Sequence, residues 1–439
     1  MFDPDASTNP QSANPNAPIK PNAPTTPELP PLRIALAGYR SHPHVGGQGI
    51  YIRHLATALT QLGHKVEVIS GPPYPVLPCH TPLITLPSLD LYNHPQPFYA
   101  LKLEHLRSWA DLYEWWSKIT GAFGEPYSFG RRLRRYLEKN GDRYDVIHDN
   151  QSLCTGLLNI KQPLVETIHH PITRDREQAI NSAKNWLHRY GAKRWYSFVA
   201  MQAKVARKLK HVVAVSACSR ADIEHCFGRP IAQTQVIFNG IDTEQFKPTH
   251  EAKKAHQLLA VCSSDLPVKG VKCLLQAYAH VRQKHPAAQL KIIGNFALEG
   301  ANLALAKQLD IVNHIELVTG LDDAAMATAY CQASVFVCAS LYEGFGLPAA
   351  EAMSCGTAVV SSDGGALPEV IGDCGIVVPA GKPQALAVGI GYLLDNPELR
   401  QQLEARGRAR ALDVFSWQRV ALAYVELYRQ AIKDQETQR

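Results

Sequence analysis

What this chain lacks narrows its class before any motif is read. None of its ten cysteines stands in a C-x-x-C pair, and most, such as Cys262 and Cys338, sit inside apolar runs. That excludes a disulfide framework and a zinc site, and it points to buried free thiols in a reducing compartment, the cytoplasm. No apolar run approaches the ~20 residues of a membrane-spanning helix, so an integral membrane protein is excluded. Residues 1–31 are rich in Pro, Asn and Ala and hold no hydrophobic stretch of the kind a secretory signal needs; they read as a disordered tail. The sole Asp-x-Asp, Asp3–Asp5, falls in that tail, and no clustered metal ligands occur elsewhere, so no metal and no resident cofactor are expected. "GGQGIY" does not complete the G-x-G-x-x-G fingerprint, which disfavours hydride chemistry, and no nucleic-acid recognition module is present.

What is there suits a two-domain α/β protein. The 439 residues, 46% hydrophobic and 19% charged, are enough for two cores. "LRIALAGY", "KVEVIS", "YDVIHDN", "PLVETIH", "VVAVSA" and "TQVIFNG" are short apolar runs with the look of buried parallel strands. A second series follows Phe246: "HQLLAVCSS", "QLKIIGN", "HIELVTG", "SVFVCAS", "TAVVSSD" and "GIVVPA". Helical segments such as 268–284 and 322–331 separate them. Two doubly wound Rossmann-like domains are therefore expected, over residues 32–242 and 243–413. The stretch of about 72–140 breaks the rhythm and reads as a substrate-facing insert, and residues 414–439 as an amphipathic terminal helix.

One loop carries the chemistry. In "SVFVCASLYEGFGLPAAEAMSCG" a strand runs into a short helix with Pro348 in its first turn and Gly356 at its stop. Glu343 precedes the helix and Glu351 lies about one turn inside it, so the turn between them can bring both carboxylates to one cleft at the carboxyl end of the strand. Open α/β sheets bind ligands there. Gly344 and Gly346 let backbone N–H groups approach an anion, and the helix start adds its positive dipole end. A phosphate beside carboxylates that accept from hydroxyls describes a nucleotide sugar.

"EGFGLPAAE" resembles the Glu-x7-Glu motif of retaining glycosyltransferases of the GT-B fold, in particular glycosyltransferase family 4. "GGQGIYIRHLATALTQLGHKVEVIS", "VIFNGIDTEQFKP" and "FSWQRVALAYVELY" are similar to the family's first glycine loop, interdomain segment and terminal helix. The resemblance runs from Leu32 to the C-terminus and is weakest in the insert. It implies two domains facing each other across a cleft, with the terminal helix crossing back to the first. It also implies metal-independent transfer of a sugar, with retention, from a nucleotide-diphosphate donor to a hydroxyl acceptor that is a glycan, lipid-linked or a small molecule. Glu343 would bind hydroxyls of the donor sugar and Glu351 the ribose. Backbone amides of Gly344, Phe345, Gly346 and Leu347 would hold the sugar and diphosphate, and Lys269 would neutralise the departing phosphate. Gly46 and Gly47 match the phosphate-facing loop of the first domain, and His169 a histidine beside the donor sugar. Where the family usually has Gly-Arg ahead of the lysine, this chain has Ser263–Ser264: either their hydroxyls and amides take over diphosphate binding, or the donor binds differently.

The segment from Lys184 to Arg220 holds nine Lys/Arg and no acid, interleaved with Trp, Tyr and Phe. Over 184–211 it reads as a surface for anionic lipid, as an approach path for an anionic substrate, or as an ordinary helix pair with core aromatics and solvated charges. Two other functions fit the same motifs: a GT-B nucleotide-sugar epimerase or isomerase, and a catalytically weak sugar-nucleotide-binding protein.

Overall fold

Apolar runs bounded by glycine and polar turns settle into two parallel sheets. The computed structural model describes residues 30–437 apart from 44–46, 92–93, 95, 251, 263–266 and 295–297. The tail through residue 29, Gly46, Ser263 and Ser264 thus lie outside the described residues. The first sheet comprises β1 (Arg33–Gly38), β2 (Lys65–Ser70), β3 (Leu83–Thr85), β4 (Val146–Asn150), β5 (Leu164–Ile168), β6 (His211–Ala214) and β7 (Thr234–Val236), in the order β3-β2-β1-β4-β5-β6-β7. The second comprises β8 (Gln257–Val261), β9 (Gln289–Ile293), β10 (Ile315–Val318), β11 (Val335–Cys338), β12 (Ala358–Ser362) and β13 (Ile376–Val378), in the order β10-β9-β8-β11-β12-β13. Every pairing is parallel. The chain reverses its direction of winding between β1 and β4, and again between β8 and β11. Loops leaving those four strands form the crevices in which doubly wound sheets bind ligands.

The central strands are buried on both faces, as β4 and β12 are throughout, which is why they read as continuous apolar runs. β3 is different. It is a three-residue edge strand, half-exposed, inside a proline-rich stretch, and periodicity gives no sign of it. The segment of about 72–140 is thus not wholly an insert. β3 extends the sheet, and helix Glu125–Asn140 packs Phe129, Leu133 and Leu137 into the sheet's core.

The last helix, Trp417–Glu436, buries Val420, Ala421, Tyr424, Leu427, Tyr428 and Ala431, a stripe at helical spacing, against helix Gln48–Gln61 and the first sheet. The chain's closing element therefore completes the core of its first domain. Just before it, residues 411–415 form one wide π-type turn, and Ile241 N–H donates to Phe415 O at 2.6 Å. The two passages of the chain between domains lie side by side at this point, where a π turn absorbs the change of direction.

Candidate active site

Glu343 is fixed by its neighbours before any ligand is considered. Its backbone bridges to the Gly364–Gly365 turn, with Ala366 N–H donating to Glu343 O at 2.9 Å. A Cβ at Gly365 would stand 2.3 Å from Glu343 O, and one at Gly364 2.4 Å from Ser340 O, so only glycine lets the loops after β11 and β12 touch. The carboxylate is held as well. Ser340 Oγ donates to Oε1 at 2.7 Å, and Lys269 Nζ donates to the same oxygen at 2.8 Å. Lys269 ends the turn Pro267–Lys269 after β8, and Gly270, in the left-handed region at φ +67°, leads into helix Val271–Lys284. A Cβ there would meet Ala339 O at 1.9 Å, so the glycine presses the lysine's loop onto the glutamate's.

From Glu343 the chain turns through Gly344, Phe345 and Gly346, the last at φ +100°, into the helix Leu347–Ser354. The N–H groups of Gly344, Phe345, Gly346 and Leu347 donate to no partner among the described residues. Four successive free amides at a helix start form an anion-binding concavity. Phe345 offers only its backbone, because its ring is buried against Phe238 and Phe415. One turn into the helix, Glu351 accepts from Tyr330 OH at 2.9 Å, and burial pushes its carboxyl up to about 7.

The opposing wall comes from the first domain. His169 follows β5. Its N–H donates to Gln151 Oε1 at 2.7 Å, its ring Nε2 to Asn150 Oδ1 at 2.8 Å, and Tyr51 meets the ring edge-on at 4.6 Å between centroids. Burial, then the neighbouring His170, lowers its pKa to about 3, so the imidazole is neutral at physiological pH and has Nδ1 as its acceptor. Gln151 also donates to His170 O at 2.8 Å; the His170 side chain is half-exposed and 4.0 Å from Asp175. Gly47, at φ +74°, caps the helix Gln48–Gln61.

These residues meet. Gly47, His169, Lys269, Glu343, Gly344, Phe345, Gly346, Leu347 and Glu351 all line one cleft of about 500 Å³ between the two domains. His54, Asn239 and Trp417, inside the stretches similar to the family, and Asp323 line it too, although no motif singles them out. Also unread in the sequence is the latch across the cleft. The Glu369 carboxylate accepts from Ala217 N–H at 2.8 Å and Cys218 N–H at 2.9 Å, at the start of helix Ala217–Phe227. Ser216 and Ser219 hydroxyls both donate to Gly344 O, at 2.7 and 3.0 Å. Partners more than a hundred residues apart leave no periodic trace; an acid two places after the "AL" of "GGALPEV" looks like any first-turn glutamate.

Among the described residues no group of His, Cys, Asp or Glu is arranged to hold a metal ion, and no helix is long and apolar enough to cross a membrane.

Comparison with known proteins agrees with this architecture. Residues 45–245 match the family described as Glycosyltransferase Family 4, and residues 242–410 the family described as Glycosyl transferases group 1. The chain is 42% identical over 409 residues to the MMP alpha-(1->4)-mannosyltransferase of Mycolicibacterium hassiacum, covering 91% of this chain and 98% of that protein. It is 28% identical over 314 residues to the phosphatidyl-myo-inositol mannosyltransferase of Mycobacterium tuberculosis, covering 68% and 76%. Among solved structures, sucrose-phosphate synthase from Thermosynechococcus elongatus superposes with a TM-score of 0.67 at 24% identity, over 92% of this chain and all of that one, which shows a shared fold.

Proposed function

The chain belongs to glycosyltransferase family 4, with the GT-B fold, and from that premise we propose that it moves an α-mannosyl group from a nucleoside-diphosphate mannose to a saccharide hydroxyl, with retention of configuration. The observation that carries this reading is the Lys269–Glu343 contact at 2.8 Å beside four free backbone amides. A cation, a carboxylate and an anion cradle then share one wall of the cleft. The mannosyl preference rests on the 42% identical relative.

In this reading the diphosphate lies on the amides of 344–347, Lys269 leaves Glu343 to meet the leaving oxygen, and Glu343 turns to the sugar's hydroxyls. Glu351 takes the ribose. Gly46, Gly47, Ser263 and Ser264 complete the diphosphate site. The neutral His169 accepts from a donor-sugar hydroxyl through Nδ1. The acceptor hydroxyl attacks the face the phosphate leaves and passes its proton to the departing phosphate oxygen, so the protein supplies position and charge rather than an acid or base. No metal ion takes part. Domain closure, fastened by Glu369, excludes water from the reacting bond.

The acceptor has a second reading, a lipid-linked saccharide reached by peripheral contact with the cytoplasmic face of a membrane. Helix Trp186–Trp195 favours it: none of its residues is buried, Trp186, Leu187 and Tyr190 are exposed, and it carries Arg189, Lys193 and Arg194 without an acid. The adjoining helix Phe198–Ala206, by contrast, packs Phe198, Val199 and Val205 into the core, so the contact would involve only the first part of 184–211. All ten cysteines are free, in keeping with a cytoplasmic site.

The test is incubation with guanosine-, uridine- and adenosine-diphosphate sugars and mannose oligosaccharides, with NMR of the product's anomeric centre. Nucleoside diphosphate released together with an α-mannoside supports the reading. Interconversion of sugar nucleotides without acceptor use would indicate the epimerase, and binding without turnover the weak binding protein.

A further inference from the structure

The donor cleft is not the largest cavity. A groove of about 730 Å³, within the range of about 300–1,000 Å³ usual for ligand sites, lies on the first domain and shares no lining residue with the cleft. It begins at Leu86–Pro87 just past β3, and at Thr155 beyond β4, and follows the outer face of helix Glu125–Asn140.

Its frame is rigid. Arg132 donates to Glu114 Oε2 at 2.8 Å and pairs with Asp111, and Ser128 Oγ adds a 2.9 Å bond to the same Glu114 oxygen. Helix Trp109–Ile119 is thereby fastened to helix Glu125–Asn140, and the charge of Arg132 is spent within the wall. Arg134 pairs with Glu138. Arg131, Arg135 and Lys139 are left exposed, and none forms an ion pair among the described residues. They recur every fourth residue, so they form one row of positive charge roughly 12 Å long. Like charges at this spacing repel and weaken the helix that bears them. A row of three makes sense where an anion answers it. Trp109, 59% exposed, and Tyr127 and Tyr136 give the same groove aromatic surface, and Asn140 and Asn159 give it amides.

Aromatic faces, amides and guanidinium forks together suit a saccharide that carries acidic groups. We propose that this groove is a second saccharide site, which holds an acidic glycan chain outside the donor cleft. The binding stands on the groove alone; that the chain so held is the acceptor rests on the transferase reading above.

The experiment is titration calorimetry of the full chain with a sulfated hexasaccharide, with neutral maltohexaose as control, for the wild type and for Arg131→Gln/Arg135→Gln. Both arginines are exposed, so the double variant should keep its melting temperature and its affinity for nucleoside diphosphate. The sulfated chain should bind the wild type more tightly than maltohexaose, less tightly as salt rises, and at least tenfold more weakly to the variant. Trp109→Ala, also at an exposed position, should weaken binding of both saccharides several-fold. Equal affinity of wild type and double variant would overturn the proposal, as would displacement of the hexasaccharide by nucleoside diphosphate. Binding of phosphatidylglycerol vesicles through these arginines, with no binding of the hexasaccharide, would overturn it too, in favour of a membrane face. If the variant loses the saccharide while the wild type consumes no sugar nucleotide, the groove stands and the transferase reading falls.

Discussion

The cleft wall around Glu343 and the outer segments of the first domain are built on opposite plans. On the wall around Glu343 each acidic side chain has a partner: Glu343 has Ser340 and Lys269, Glu351 has Tyr330, and glycines at 270 and 365 hold the loops at backbone distances no Cβ would allow. On the first domain, away from the cleft, the 3₁₀ turns Pro97–Tyr99 and Leu103–Arg107 and the helix Trp186–Trp195 bury nothing, and Phe98, Tyr99, Leu103 and Trp186 are more than 60% exposed. Arg194 lies over the Trp116 ring at 5.0 Å, and Lys118 over Trp195 at 6.0 Å, which joins helix Trp186–Trp195 to helix Trp109–Ile119. A preorganised wall suits a ligand common to many enzymes, and exposed outer segments suit whatever distinguishes this enzyme from them.

Substitutions in the two regions should therefore separate. The largest effect belongs to Lys269→Ala, which should lower kcat about 10²–10³-fold, as loss of one charge-stabilising donor does. Affinity for nucleoside diphosphate should fall much less; an equal fall in both would make Lys269 a binding residue and blunt the contrast. Glu351→Ala should weaken nucleoside-diphosphate binding by about 10–100-fold, the cost of a charged hydrogen bond of about 1.5–3 kcal/mol, as read by calorimetry.

Glu351 also gives the wall around Glu343 a pH signature. Its free-state pKa is raised to about 7, and ribose hydroxyls donating to the carboxylate favour the charged form, so the bound-state value is lower. Affinity should therefore climb as pH rises toward about 7 and level off above it, and Glu351→Gln should remove that limb of the profile. The same raised value means that the native fold favours the protonated acid, so this group's contribution to stability declines between the ordinary carboxyl range and about pH 7.

Glu369→Ala removes the charged cap that ties the walls together. It should raise donor KM several-fold, in line with about 1–2 kcal/mol for a cap aided by the helix dipole, and enlarge the radius of gyration in solution scattering. The smallest effect is expected on the exposed side. Trp186→Ser should change stability by less than about 0.5 kcal/mol and leave donor hydrolysis untouched. A large loss of hydrolysis would mean that the outer segments shape the donor site after all.

The same division explains what could be read from the chain. The wall around Glu343 is local: a strand, an eight-residue loop and a helix start hold Glu343, the four amides and Glu351, so their spacing is legible. Buried parallel strands announce themselves as apolar runs, whereas the half-exposed edge strand Leu83–Thr85 does not. Glu369 and Trp417 act through partners far along the chain, and nothing near them in sequence marks the contact. In the basic-aromatic stretch, helix Phe198–Ala206, with a single lysine, is core, and helix Trp186–Trp195, with two arginines and a lysine, is surface, a distinction lost when the stretch is read as one segment.

The central claim is that the amides of 344–347 with Lys269 hold an activated sugar's phosphates between the two acids. A crystal structure with a nucleoside-diphosphate sugar tests it most directly. Phosphate oxygens should lie within hydrogen-bond reach of those amides and of Lys269, with the ribose hydroxyls on Glu351. Phosphates bound elsewhere, with Lys269 still joined to Glu343, would contradict it.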